Sequence, residues 1–131
     1  MKFLPTKVHG LLDYVVGAAL IAAPAIFRFS DVGGPAVAVP VILGIGLILY
    51  SFFTNYEWGI VKVIPMSYHL LVDLVAAMLL TASPFLFGFS DQGANAWLPH
   101  FVVGLTVIAV VLVSKPGIAV PGRDSYKLAP R

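Results

Sequence analysis

No cysteine occurs in the 131 residues. That excludes disulfides, thiolate nucleophiles, zinc–thiolate sites and Cys-ligated iron–sulfur clusters. Charge is nearly as scarce. Asp, Glu, Lys and Arg make up only 11% of the chain, against 60% hydrophobic residues. A soluble domain carries about 25% charged residues, so this composition does not supply a water-facing surface. The net charge of +2 is too small to mark a nucleic-acid partner. Walker, dinucleotide-binding, nucleophile-elbow and HExxH patterns are all missing, so no reaction is assigned and an enzyme is not expected.

What the chain does have is a repeat. His9 to Asp31 reads HGLLDYVVGAALIAAPAIFRFSD, and 60 residues later His69 to Asp91 reads HLLVDLVAAMLLTASPFLFGFSD. Without a gap, His9 falls on His69, Asp13 on Asp73, Pro24 on Pro84, and Phe27, Phe29, Ser30 and Asp31 on Phe87, Phe89, Ser90 and Asp91. Gly44 falls on Gly104. The sequence therefore reads as a duplicated unit, residues 1–60 and 61–114, followed by a tail, 115–131.

Each unit holds two apolar runs long enough to cross a bilayer. The expected spans are about 8–27 and 36–53 in the first copy and about 68–87 and 96–114 in the second. The connection Ser30-Asp31-Val32-Gly33-Gly34-Pro35 is too short for anything but an antiparallel hairpin, with Ser30 or Asp31 expected to cap the next helix and Pro35 in its first turn. The fold class is thus all-α: a polytopic membrane protein of four transmembrane helices, two tandem helical hairpins related by a parallel pseudo-twofold. Lys2 and Lys7 before an apolar run, with Ala23-Pro24-Ala25 beyond it, resemble a cleaved leader, but the same pattern recurs in mid-chain, so an uncleaved span is expected. Phe27 and Phe29 are expected near the headgroups, Tyr56 and Trp58 as interfacial anchors, and Glu57 and Lys62 in water. Residues 61–65 match 1–5 and are expected to form a shallow interfacial element, and the tail to be extended and solvated. Lys and Arg number two in the N-terminal segment, one in the central linker and four in the tail, with Arg28 alone on the other face. Both termini are therefore expected in the cytoplasm.

Ser83-Pro84-Phe85-Leu86-Phe87-Gly88-Phe89-Ser90, followed by Trp97 and Gly104, resembles the SPW-repeat family of small bacterial membrane proteins. The linker TNYEWGIVKVIPM also resembles linkers of two-repeat members. The family signature is Ser-Pro-Trp near the end of the first helix of a two-helix unit. Here Phe85 takes the Trp position, and the first copy has Ala23-Pro24-Ala25. The resemblance covers the chain except the tail, and implies the two-hairpin architecture and a bacterial cytoplasmic membrane. It implies no activity.

His9 and Asp13 lie four residues apart on one helix face, and His69 and Asp73 repeat them. Gly17, Leu20 and Pro24, with Ala77, Leu80 and Pro84, continue that face. Ionisable groups at this depth avoid lipid, so two His and two Asp are expected to converge at the pseudo-axis near the cytoplasmic side. One reading is helix packing through hydrogen bonds, in a scaffold or accessory subunit of a larger complex or homo-oligomer. A second is a transition-metal site with four ligands, and a third is proton or ion passage. A bis-His haem through His9 and His69 ranks behind these. No cofactor is assigned. His100 is expected to be interfacial, and Asp31 and Asp91 to serve turns and caps.

Overall fold

The computed structural model describes residues 1–117, so the tail from residue 118 onward lies outside the described residues. Four helices fill the described chain: α1 (Thr6–Ile26), α2 (Gly34–Phe52), α3 (Met66–Leu86) and α4 (Ala94–Val113). Each is long and apolar enough to cross a membrane. The expected span limits agree within two residues, the helices starting consistently earlier. Among the described residues no strand forms beyond two isolated bridges.

The buried positions obey the repeat. His9, Asp13, Gly17, Leu20, Ala23 and Pro24 are buried on α1, and their counterparts His69, Asp73, Ala77, Leu80, Ser83 and Pro84 on α3. Ala36, Pro40, Gly44 and Ser51 of α2 match Ala96, His100, Gly104 and Val111 of α4. Within a hairpin the two helices meet backbone to backbone. A Cβ on Gly44 would lie 2.6 Å from Gly17 O, and one on Gly104 would lie 2.9 Å from Ala77 O. Small residues at this depth let lipid-embedded helices gain van der Waals contact that no hydrophobic force supplies.

The end of α1 and of α3 explains the Phe-x-Phe pattern shared by the copies. The Phe29 N–H donates to Pro24 O at 2.9 Å and the Arg28 N–H to Ala25 O at 3.3 Å, and the Phe89 N–H repeats the first bond to Pro84 O at 2.9 Å. This is a Schellman closure with residues 28 and 88 in the left-handed region, at φ 57° and 71°. Gly88 adopts that conformation freely, whereas Arg28 does so against its Cβ. Phe29 and Phe89 are consequently turned inward and buried, which corrects the headgroup position expected for Phe29. Phe27 is half exposed. Pro84 also removes the donor that Leu80 O would otherwise accept, and the Ser83 hydroxyl donates to that oxygen at 2.7 Å. A Ser-Pro pair at a helix end thus carries its own repair. The capping role expected of Ser30 and Asp31 is not seen: they form a 3-10 turn with Val32, and α2 starts after Gly33 with no side-chain cap.

The hairpins exchange their ends. Leu4, before α1, pairs with Ser114 after α4, and Ile64, before α3, pairs with Thr54 after α2. The Lys115 N–H donates to Leu4 O at 3.0 Å and the Asn55 N–H to Ile64 O at 2.7 Å. These are the same bond displaced by 60 residues. At the opposite end His100 joins α4 to α2. Its Nε2 lies 2.9 Å from Ala36 O, the carbonyl left without a helical donor because residue 40 is proline. The residue that supplies the missing donor is Pro40's own counterpart in the second copy. His100 is 2% exposed and packed on Phe29 and Phe89, so the interfacial placement expected for it is wrong. Between these two ends the hairpins part, leaving apolar crevices of about 210 Å³ beside α1 and α4 and about 250 Å³ beside α2 and α3.

Gly44→Leu should wedge α1 from α2 and cost about 1–3 kcal/mol of overpacking, read as a lower midpoint of thermal unfolding in detergent. Gly46→Leu should stay near wild type, because a Cβ there meets nothing within 4 Å.

Candidate functional site: a crossed histidine–aspartate cluster

His9 stands in the first turn of α1 and Asp13 one turn deeper, and α3 repeats the arrangement with His69 and Asp73. The exchange of ends brings the two pairs face to face. His9 Nε2 lies 3.2 Å from Asp13 Oδ1 in its own helix and 3.0 Å from Asp73 Oδ2 in the other. His69 Nε2 lies 3.2 Å from Asp73 Oδ2 and 3.0 Å from Asp13 Oδ2. The imidazole rings meet edge to face, with centroids 5.5 Å apart. The four candidate residues therefore converge, as their spacing predicts, and each is at most 5% exposed. Each histidine is closer to the aspartate of the other repeat than to its own.

The far nitrogen of each ring is held by a hydroxyl that sequence reasoning missed. Ser114 Oγ lies 2.7 Å from His9 Nδ1, and Thr54 Oγ1 lies 2.7 Å from His69 Nδ1. Both hydroxyls also reach the carbonyl one turn back, Val110 O at 2.6 Å and Tyr50 O at 2.9 Å. Thr54 and Ser114 are themselves 60 residues apart. Aligned hydroxyls at the ends of the second helices were the available signal.

One member breaks the symmetry. The Tyr56 hydroxyl donates to Asp13 Oδ2 at 2.8 Å. Its counterpart in the second copy is Pro116, so comparing the copies cannot reveal it. Tyr56 is 0% exposed, which corrects its expected role as an interfacial anchor. Burial first, and the neighbouring Asp13 carboxylate second, push its hydroxyl well above the ordinary phenol range, which keeps it a donor. Trp58 is partly exposed, and its indole N–H donates to Lys7 O at 2.7 Å. Glu57 is exposed and accepts from the Thr6 hydroxyl at 2.8 Å. The linker thus covers the Asp13 side of the cluster, over Gly10, where a Cβ would strike both aromatic rings at 2.8 Å. Asp31 and Asp91 lie on the turns at the far end of α1 and α3 and do not join the cluster.

Chemically the cluster offers two imidazole nitrogens and two carboxylates in a space closed to bulk water. A cavity of about 70 Å³ touches His9, Asp13 and Asp73, room for one or two waters. Such a set can bridge helices, hold protons or bind a cation.

A family model described as the SPW repeat domain matches residues 7–114. The chain belongs to that family and is a multi-pass membrane protein. No curated protein and no solved structure matches it.

Asp13→Ala should cost about 3–5 kcal/mol, because two buried histidines lose a partner. Tyr56→Phe should cost about 1–3 kcal/mol by leaving Asp13 short of one donor. Unfolding midpoints in detergent measure both. An Asp13→Ala protein as stable as wild type would show that the contacts do not hold the helices.

Proposed function

We propose that this SPW-repeat protein works inside the membrane as a small scaffold or accessory subunit, without an enzymatic reaction of its own. The observation that carries the reading is the closure of its interior. The histidines and aspartates buried on the helix faces are turned to the centre: His9, Asp13, His69 and Asp73 gather with one another, and His100 lies between two carbonyls. The crevices between these two layers are lined mainly by apolar side chains, with Asp73 and Tyr50 at one and His100 and Thr106 at the other, which favours a closed interior over a polar pathway. The outward faces of all four helices are apolar, with Ile45, Val75, Leu105 and many others exposed. Such a surface suits lipid, a second copy or a larger membrane complex.

The setting belongs to the proposal as well: a bacterial cytoplasmic membrane, two repeat units of residues 1–60 and 61–114, and a cytoplasmic tail from residue 115. The asymmetry of Lys and Arg between the faces supports both termini in the cytoplasm. Nothing basic enough for nucleic acid is present.

A photo-reactive residue placed singly at Ile45, Val75 or Leu105 in native membranes should give discrete protein adducts at one or more of these positions. Purified protein in sealed vesicles should pass no more protons than empty vesicles. Lipid adducts alone, or a proton flux abolished by Asp73→Asn, would contradict the scaffold reading, and the flux would favour translocation.

A further inference from the structure

The cluster sets two imidazoles against two carboxylates. The Ser114 and Thr54 hydroxyls each have one proton, and the carbonyls at 2.6 and 2.9 Å give it a place to go. The hydroxyl oxygens then accept from imidazole Nδ1–H. That bond sets the tautomer, as a metal-binding histidine requires. His9 Nε2 hydrogen-bonds Asp73 Oδ2 at 3.0 Å, whereas in a neutral His69 ring held at Nδ1 the Nε2 is a lone pair facing the carboxylates. The Tyr56 hydroxyl reaches Asp13 alone. A cation at the centre would face both carboxylates and both Nε2 atoms.

A second observation points the same way. His69 Nε2 is fully buried and lies 3.0 and 3.2 Å from two carboxylate oxygens, yet it makes a hydrogen bond to neither, because neither lies along the direction of a ring N–H. A proton there has no aligned acceptor. The nitrogen is thus a buried, unpartnered polar atom set against both carboxylates.

We propose that His9, Asp13, His69 and Asp73 bind one divalent first-row transition ion at the pseudo-twofold axis, fastening the two repeats together. One ligand atom from each residue can be chosen so that all four lie within 4.8 Å of one another. For His9 Nε2, His69 Nε2, Asp73 Oδ2 and Asp13 Oδ2 the N···O separations of 3.0, 3.2 and 3.0 Å approach the edge of a tetrahedron with zinc-type bonds, about 3.3 Å, and the wider pairs, within 4.8 Å, close on binding. Two imidazoles and two carboxylates suit zinc, iron or manganese better than calcium, which takes oxygen alone. Two carboxylates and a divalent ion sum to zero charge, which a site beside hydrocarbon favours. The adjoining cavity of about 70 Å³ leaves room for a water or an entering ligand. The inference rests on the cluster and not on the outer surface, so the adduct and flux experiments can fail without touching it.

The test uses the full chain in detergent, stripped with a chelator and titrated with Co²⁺ by absorbance and with Zn²⁺ by calorimetry. The expected result is saturation at one ion per chain, with Co²⁺ developing the intense visible bands of tetrahedral coordination. His69→Gln and Asp73→Asn should each weaken binding at least 100-fold. Ser114→Ala leaves all four ligands in place and should weaken it about 10–100-fold through the His9 orientation. It serves as the readout if the ligand variants fail to fold. His100→Gln, outside the cluster, should bind as wild type does. No saturable binding of either ion would overturn the proposal, as would affinity unchanged in all three cluster variants, which would mark binding elsewhere on the chain.

Discussion

A carboxylate cannot face hydrocarbon, and this chain places one in the second turn of each of two spanning helices. Everything else at that end of the molecule follows from hiding them. Each Asp needs partners within the protein, and the histidine one turn earlier supplies the nearest. A single hairpin would leave the outer side of that pair against lipid. Two hairpins facing each other close it, and the closure is crossed: His9 reaches Asp73 and His69 reaches Asp13, both at 3.0 Å. The cost of an exposed carboxylate thereby becomes a force joining the repeats.

The crossed pattern continues in the backbone. Chain entering one hairpin pairs with chain leaving the other, and the hydroxyls that orient the histidines come from those exit segments. Duplication makes this economical, since one set of side chains serves as its own complement after rotation. At the far end the copies have diverged. Pro40 orphans a carbonyl and His100 reaches it, a relationship that needs the two positions to be different.

Much of this was legible before any coordinates. The repeat, the four spans, the face carrying His9, Asp13, Gly17, Leu20 and Pro24, and the meeting of the four polar residues all follow from spacing and from the cost of burying charge. The failures share a cause. Tyr56, Phe29 and His100 were judged by residue type, as aromatic or amphipathic groups that prefer headgroups. Their positions are instead decided by a particular orphan: the Asp13 oxygen, the Schellman closure after Pro24, the carbonyl left by Pro40. Orphans of this kind appear only when the backbone has been traced. Asp31 looked like a cap because its spacing allowed it, but Gly33 and Gly34 turn the chain before a side chain is needed.

The central claim is that the crossed contacts, and not those within a helix, hold the hairpins together. A double-mutant cycle on metal-stripped protein tests it most directly, using His9→Gln and Asp73→Asn with reversible unfolding in mixed micelles. Interacting neighbours couple by about 0.5–3 kcal/mol, and a coupling of at least 1 kcal/mol is predicted for this pair. Effects that add to within about 0.3–0.5 kcal/mol would contradict the account, because a crossed contact between the repeats would then carry no energy.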